Sequence, residues 1–523
     1  MSTSIDATVS EGEDEPGGAA PPPPGRRAVP PWLIPAVLAA AWAAVLLAHL
    51  RAPVPSDQLN YMLAAERFPH RVEPTTEMHQ MTRFGLIVPA RLAIAVFGHS
   101  QAAYATVPVL ATLALLAGTY ALGTLLFART VGAAGALLVV AATPVFTDST
   151  DLLPDILAVG LFTSALALAV ALRRRPGPPG VPVLLLLGAL LGWSYLAREF
   201  IVFLWPVVPA LLYRRVGWRG LAWAAVPVAV LFAAETLLCW RLYGDPLARL
   251  LAVSGHGQRP STPAVAASYR DKPRMTYVMR LPDTLGTYPE GRVLVGLLVL
   301  TVAGAALRVR RVTLLFATCA LLWVPLTLLG GVIDPAAPKL RLQLIRYWFP
   351  VFPGFVLGGL GLLWLAAARL PGRGRLRAAL PAAVVVAVAA VGVGTAARSW
   401  WGAPSTRLGG ATQMEDVRSW MRAEGAPDRR LWSDPHTRKV LTVYREGAWG
   451  GAPWPGRLLA ARPGGDRPAP GDLVLLYDTE RGRVCPLCRA SARAAWGDPV
   501  RPGPGWRELH ATRDGVARLY RVG

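Results

Sequence analysis

The sequence is short of charge. Asp, Glu, Lys and Arg make up 16% of its 523 residues, where a soluble protein would carry about 25%. That deficit excludes a single soluble globule and leaves lipid as the solvent for much of the chain. Acid is scarcer than base, with 32 Asp and Glu against 54 Lys and Arg, a net charge of +22. The excess does not make a nucleic-acid binder, because no basic patch sits on a soluble domain with base-reading aromatics. Cysteine is scarce as well. Cys239 and Cys319 fall in apolar runs and read as packing residues, while Cys485 and Cys488 form "CPLC". A zinc centre needs about four ligands, and no second pair stands near them. A local disulfide or free thiols is therefore preferred to a redox or metal role. Large apolar residues are nearly absent from residues 1–30, "STSIDATVSEGEDEPGGAAPPPPGRR" and its flanks. Such a segment cannot bury a core and is expected to be a disordered cytoplasmic tail. It is not a cleaved signal peptide, because the apolar run at 32–50 is long and lacks a cleavage site.

What is present is a series of apolar runs near the roughly 20 residues that cross a hydrocarbon core. Each must be helical, since only a helix satisfies its own backbone in lipid. About eleven spans are predicted, at 32–50, 102–126, 131–147, 154–172, 180–196, 200–213, 219–240, 291–307, 312–331, 347–368 and 379–397. Basic clusters mark alternate connections: Arg26–Arg27, Arg129, Arg173–Arg175, Arg214–Arg215 with Arg219, Arg308–Arg311, and Arg369 with Arg373, Arg375 and Arg377. Positive charge marks the cytoplasmic side, so the N-terminus is expected inside and the C-terminus outside. The long outer segments are then 51–101, 241–290 and the tail from about 399.

The first outer segment opens with "PSDQLNYMLAAERFPH", residues 55–70. After Asp57, the spacing of Leu59, Met62, Leu63 and Phe68 suits a helix lying along the membrane surface. "EMHQMTRFGLIVPARLAIAVFGHS", residues 77–100, joins the polar residues Glu77, His79 and Arg83 to a second amphipathic helix ending at Gly98. The next outer loop, "TDSTDLLPD", carries Asp148, Asp151 and Asp155 and no cation. Pro154 suits a first helical turn. Asp151 or Asp155 is either a favourable charge at a helix N-terminus or one of a set of acids converging on a cation or a sugar. "YLAREF" places Arg198 and Glu199 between two spans, and "AAETLLCWRLYGDPLARL" places Glu235 within one. Glu235 is either functional or paired with an Arg from another helix. "KLRLQLIRYWFPVFPG" carries Lys339, Arg341 and Arg346 into Tyr347 and Trp348. Arg346 suits either a bidentate phosphate contact or simple anchoring at the interface.

Carboxylates and arginines at the outer edge of an apolar bundle suit a lipid-phosphate substrate. Arg346 or Arg198 would hold the phosphate and a carboxylate would take a proton from an acceptor hydroxyl. A divalent cation held by oxygen ligands is a candidate cofactor. No nucleotide is expected outside the membrane, so a lipid-linked sugar is the sensible donor.

The segments "NYMLAA" after Asp57, "RFGLIVPARLAIAVFG", "LLPDILAVGLF", "YLARE", "YGDPLARL" and "RYWFPVFPG" follow one another in an order that resembles the polytopic GT-C glycosyltransferases. That group includes protein mannosyltransferases and aminoarabinose transferases. The resemblance covers about residues 30–398 and rests on order and topology. It implies an all-α polytopic membrane protein with a GT-C-like helical bundle, and an inverting transfer from a polyprenyl-phosphate sugar to an acceptor in the cell envelope. It makes Asp57 and Asp155 the catalytic acids and Arg346 the phosphate-side arginine. Tyr61, His79, Arg83 and Arg198 join Arg346 as substrate-binding candidates. Asp57, Glu77 and His79 are the candidate metal ligands. Many members carry two adjacent acids after the first span, whereas here Asp57 is followed by Gln58.

The chain is thus expected to divide into a tail at 1–30, a transmembrane domain at 31–398 and an extracytoplasmic soluble domain at 399–523. In the last, "ATQMEDVRSWMRAEG" and "PHTRKVLTVYRE" read as helices, and "RRLWSD" and "GDLVLLYD" as strands, a small α/β domain that caps the bundle or assists it. Two other function classes compete. A transporter or flippase would show internal repeats and broken helices near the midplane, and no repeat is evident. A non-catalytic scaffold would not need acids at 57 and 155.

Overall fold

The structure is a computed structural model that describes residue 30 and residues 32–50, 57–70, 78–254, 266–370, 374–401, 411–423, 430–445, 456–477 and 486–523. Among the described residues six helices are long and apolar enough to cross a membrane, and the protein is a multi-pass membrane protein.

The chain enters the bundle through α1 (Leu33–Ala48) and then runs through three shorter helices, α2 (Asp57–Arg67), α3 (Met78–Met81) and α4 (Phe84–Phe97). α2 is helical as expected, but it is not a one-sided amphipathic helix: Gln58 and Asn60 are buried along with Leu59, Tyr61, Met62, Ala64 and Ala65. α4 ends at Gly98, whose φ of 65° turns the chain out of the helix; glycine enters this left-handed region without steric cost. Leu92, Val96 and Phe97 on α4 are exposed, while its Leu86, Ile87 and Ile94 are buried. The helix is therefore apolar on both faces rather than amphipathic, as suits one flank against protein and the other against lipid.

Next come α5 (Gln101–Leu126), α6 (Arg129–Ala141), α7 (Thr143–Asp148), α8 (Pro154–Arg174) and α9 (Val181–Ala197). The span expected at 131–147 is broken between α6 and α7 at Ala142, whose ψ of 128° is extended; Pro144 follows at the start of α7, where a missing N–H costs nothing. After α9 the backbone tightens into a 3-10 turn, Glu199–Leu204, before α10 (Val207–Tyr243). The two spans expected at 200–213 and 219–240 are both carried on α10, which departs from helical geometry at Gly217, φ 61°. Pro206 and Gly217 thus delimit a short first piece, and a longer second piece follows the kink.

A short α11 (Ala248–Ser254) leads to α12 (Arg274–Val278), α13 (Arg280–Gly286), α14 (Gly291–Ala306) and α15 (Arg310–Thr327). α15 ends in a π turn, Leu328–Val332. A 3-10 turn, Ile345–Val351, then feeds α16 (Phe352–Ala367), and α17 (Gly374–Trp401) closes the bundle. Its main core joins Leu138, Val159, Leu315, Phe352 and Phe355, all buried. Cys239 and Cys319 are buried and unpaired, as expected.

The C-terminal unit is a mixed sheet with helices: α18 (Ala411–Ala423), β1 (Arg430–Ser433), α19 (Pro435–Arg445), β2 (Arg457–Ala460), β3 (Leu473–Tyr477), α20 (Pro486–Trp496), β4 (Arg507–Ala511) and β5 (Ala517–Arg521). The strand order is β2-β1-β3-β5-β4. β1 lies parallel to β2 and β3, and β5 antiparallel to β3 and β4. The predicted helices and strands are found where expected. The cysteine pairing expected at "CPLC" involves Cys485, which lies outside the described residues. α19 packs against α2, and one apolar cluster runs from Leu59 and Met62 of α2 into Leu441, Leu431 and Leu473.

Candidate active site

α2 begins with an acid, Asp57, in its first turn, where the helix dipole favours negative charge. Gln58, Asn60 and Tyr61 beyond it are buried, while the Asp57 side chain stays 36% exposed. Arg346 comes from the 3-10 turn before α16, and its guanidinium donates directly to the Asp57 carboxylate. Burial alone would raise the Asp57 carboxyl, but Arg346 overrides it, with His79 and Arg83 adding to the effect. The carboxyl is held well below the usual carboxylate range.

One turn along α2, the Tyr61 hydroxyl accepts from the buried Arg83. Burial pushes the Tyr61 phenol up to about 12, so it stays protonated. Arg83 also meets Glu199 at 3.1 Å. Glu199 is shared with Arg249 at 3.5 Å, and Arg249 in turn contacts Glu235 and donates to the Tyr195 carbonyl at 2.7 Å. A separate pair joins Asp155, in the first turn of α8, to Arg198 at 3.0 Å, with 1% and 3% of the two side chains exposed. The Arg198 guanidinium lies 5.0 Å from the ring centres of Phe200 and Tyr347. These contacts depend on a close approach of α4 to the end of α9: a Cβ on Gly85 would fall 2.4 Å from the Ala197 nitrogen. The Trp193 indole fixes the same contact by donating to the Gly85 carbonyl at 3.0 Å.

Four carboxylates (Asp57, Asp155, Glu199, Glu235) and four guanidiniums (Arg83, Arg198, Arg249, Arg346) therefore form a neutral set. Desolvated charges are tolerable only when matched in this way. Of the five pairings, Asp155–Arg198 and Glu235–Arg249 are sealed, while Glu199, shared by Arg83 and Arg249, is 20% exposed. Asp57, at 36%, is the most exposed of the eight groups, and with Arg346 at 20% beside it an incoming group can enter between them.

The candidates from the sequence accordingly divide into two groups. Asp57 and Arg346 meet, with His79, buried on α3, and Arg83 in electrostatic range. Tyr61 and Arg83 bond each other behind them. Asp155 and Arg198 hold each other away from solvent. Glu77 lies outside the described residues. Glu235 has the arginine partner that was one of its two readings, and that partner is Arg249. Neither Arg249 nor the bridging role of Glu199 was anticipated. The available signals were an arginine just beyond "YGDP" and an acid directly following Arg198.

Among the described residues no three His, Cys, Asp or Glu side chains gather as a metal site. Of the expected trio, Asp57 already faces a guanidinium, so the described donors do not by themselves fit a divalent cation.

No family model matches the chain, and no curated protein matches it. Solved structures do. ArnT from Cupriavidus metallidurans, bound to undecaprenyl phosphate, superposes with a TM-score of 0.55 at 14% identity, covering 94% of this chain and 97% of that one. Its apo form gives 0.56. The Archaeoglobus fulgidus oligosaccharyltransferase in complex with Zn and sulfate gives 0.53 at 14% identity, covering 93% and 73%. The same enzyme tethered to an acceptor peptide gives 0.51, covering 94% and 74%. These neighbours are GT-C glycosyltransferases, and over most of its length the chain has the GT-C fold.

Proposed function

We propose that this multi-pass protein of GT-C fold is a glycosyltransferase that moves a hexosyl or pentosyl group from a polyprenyl-phosphate sugar to an extracytoplasmic acceptor of the cell envelope, with inversion. The observation that carries the reading is the Asp57–Arg346 pair, an acid and a phosphate-matching cation in contact at the most exposed pairing of a neutral network. The likeness to a structure bound to undecaprenyl phosphate supports a polyprenyl-phosphate donor.

The donor's phosphate competes for Arg346. A guanidinium binds phosphate through parallel hydrogen bonds, so the anion takes Arg346 over from Asp57. Asp57 then loses the cation that depresses its basicity. The acceptor hydroxyl oxygen attacks the anomeric carbon, the bond from that carbon to the phosphate oxygen breaks, and the hydroxyl proton passes to Asp57. Polyprenyl phosphate leaves on Arg346. One base on the face opposite the leaving group is what a single inverting displacement requires. Arg83 and Tyr61 hold α2 behind the carboxylate, and Asp155 keeps Arg198 beside Tyr347. A divalent cation, if the donor brings one, would sit against the phosphate; no step above needs it.

In this reading the six long helices and the five shorter apolar ones, α1, α4, α6, α9 and α14, lie in or along the membrane. The N-terminus is cytoplasmic, the bundle at 31–398 carries the reaction, and the unit at 399–523 caps it through α19 on α2. The test uses purified protein in detergent with a synthetic polyprenyl-phosphate sugar and an envelope acceptor fraction. Asp57→Asn should slow transfer about 10²–10⁴-fold, the usual cost of losing a general base, in a variant that still folds but melts somewhat lower because Arg346 loses its carboxylate. A folded variant transferring sugar at the wild-type rate would remove Asp57 from the chemistry.

A further inference from the structure

Among the described residues, the end of the bundle opposite Asp57 gathers cations without carboxylate partners. α8 finishes there in Arg173 and Arg174, followed by Arg175, and the first piece of α10 brings Arg214 and Arg215 beside them. Between Asp155 and Glu199, between Glu199 and Glu235, and between Glu290 and Asp334 the sequence has no acid at all. No carboxylate from the helices that end here can neutralise these guanidiniums, in contrast to the matched set at the other end.

The geometry shapes this charge into a cleft. Arg173, Ala210, Leu211, Arg214 and Arg215 line a cavity of about 390 Å³. The Arg215 guanidinium is fixed from behind, donating to the Arg175 carbonyl and, at 2.5 Å, to the Gly177 carbonyl. Arg173 and Arg214 are exposed at the rim. Immediately past the turn at Gly217, Trp218, Trp223, Val226 and Val230 are exposed along α10, with the Arg219 guanidinium 5.7 Å from the Trp218 ring centre. Aromatics with arginine at a helix end mark the headgroup level of a bilayer, and the exposed apolar residues continue from there toward the hydrocarbon.

We infer that this cleft is a binding site for the phosphate headgroup of an anionic phospholipid, whose acyl chains lie along the exposed face of α10. A basic pocket between membrane helices is suited to such a headgroup, and three guanidiniums supply more donors than one phosphate can use, leaving room for a glycerol or a second phosphate. The ligand chemistry is a phosphate ester; its source is the inner leaflet, because the apolar track beside the cleft has no use for a free anion. The site is independent of sugar transfer.

The test is native mass spectrometry and thermal melting of the full chain in detergent, with phosphatidylglycerol, phosphatidylcholine or inorganic phosphate added. Wild type should retain phosphatidylglycerol over phosphatidylcholine by about ten-fold or more, and melt higher only with the former. Arg173→Gln with Arg214→Gln should lower retention by about five-fold for each arginine removed, while its melting without added lipid matches wild type. Equal retention of the two lipids by wild type would overturn the site, and that measurement needs no variant. Millimolar inorganic phosphate displacing the lipid would show a small-anion site instead. Undiminished retention by the folded double variant would place the lipid elsewhere.

Discussion

Asp155 and Arg198 offer a sharp test of how the charged network is built. The two groups stand 3.0 Å apart with 1% and 3% exposure. At an effective dielectric near 20, opposite charges at that distance attract by ~5 kcal/mol, largely offset by what it costs to desolvate both. Removing one partner keeps the desolvation cost and discards the attraction. Arg198→Met, which preserves packing against Phe200 and Tyr347, should therefore cost about 3–5 kcal/mol, as should Asp155→Asn to a similar degree. Combining them removes both charges, and the double variant should recover most of the loss. The assay is melting of each purified variant followed by tryptophan fluorescence, with sugar transfer measured on those that fold. A double variant melting below both singles, or singles melting as wild type, would refute the closed-pair argument. Transfer decides the role of Asp155: recovery in the double variant makes it a positioning residue, and a folded, inactive double variant makes it catalytic.

Arg346→Lys keeps the charge and loses the planar fork, so transfer at limiting donor should fall about ten-fold with unchanged protein yield; unaltered donor dependence would remove Arg346 from the phosphate site. The Asp57 carboxyl is depressed in the folded state, so its contribution to stability is complete above the unfolded value of about 3.9 and is lost as pH falls below it. The melting difference between wild type and Asp57→Asn should accordingly stay flat from about pH 5 to 8 and shrink below about pH 4; a change between pH 6 and 8 would contradict the ion pair. A reporter active only outside the cytoplasm should work when fused after residue 398 and fail near Arg175 or Arg375, and the reverse at any of these points would sink the proposed orientation.

Much of the architecture is legible in one sequence because lipid leaves a chain few options. Apolar length demands helices. The spacing in "DQLNYMLAAER" already implies the helix that α2 forms, and the alternation after residue 399 implies the sheet. The site is less legible. Asp57 and Arg346 stand out as isolated charges beside apolar runs, but nothing in the order of residues says that they touch. Arg83 and Glu199 are 116 positions apart, and their meeting depends on Gly85 letting α4 approach α9. Asp155 reads as a helix-terminal acid or as one of a converging set, and its pairing with the buried Arg198 belongs to neither reading. The break at Gly217 and the tight turn at Glu199–Leu204 blur where two spans begin, because Pro and Gly mark a change of direction without saying what replaces the helix.

The separation of the partners along the chain has a consequence for synthesis. Glu235 finds Arg249 after 14 residues, and Asp155 finds Arg198 one hairpin later, so these pairs can form almost as soon as their helices leave the insertion machinery. Asp57 waits for a partner 289 residues downstream. Through the insertion of nearly the whole bundle it lacks its contact partner, and water at the interface with the nearby charges of His79 and Arg83 must stabilise it. The half-open position of this acid is what lets a nascent chain carry it, and a truncated chain lacking Arg346 would reach the membrane without the Asp57–Arg346 pair.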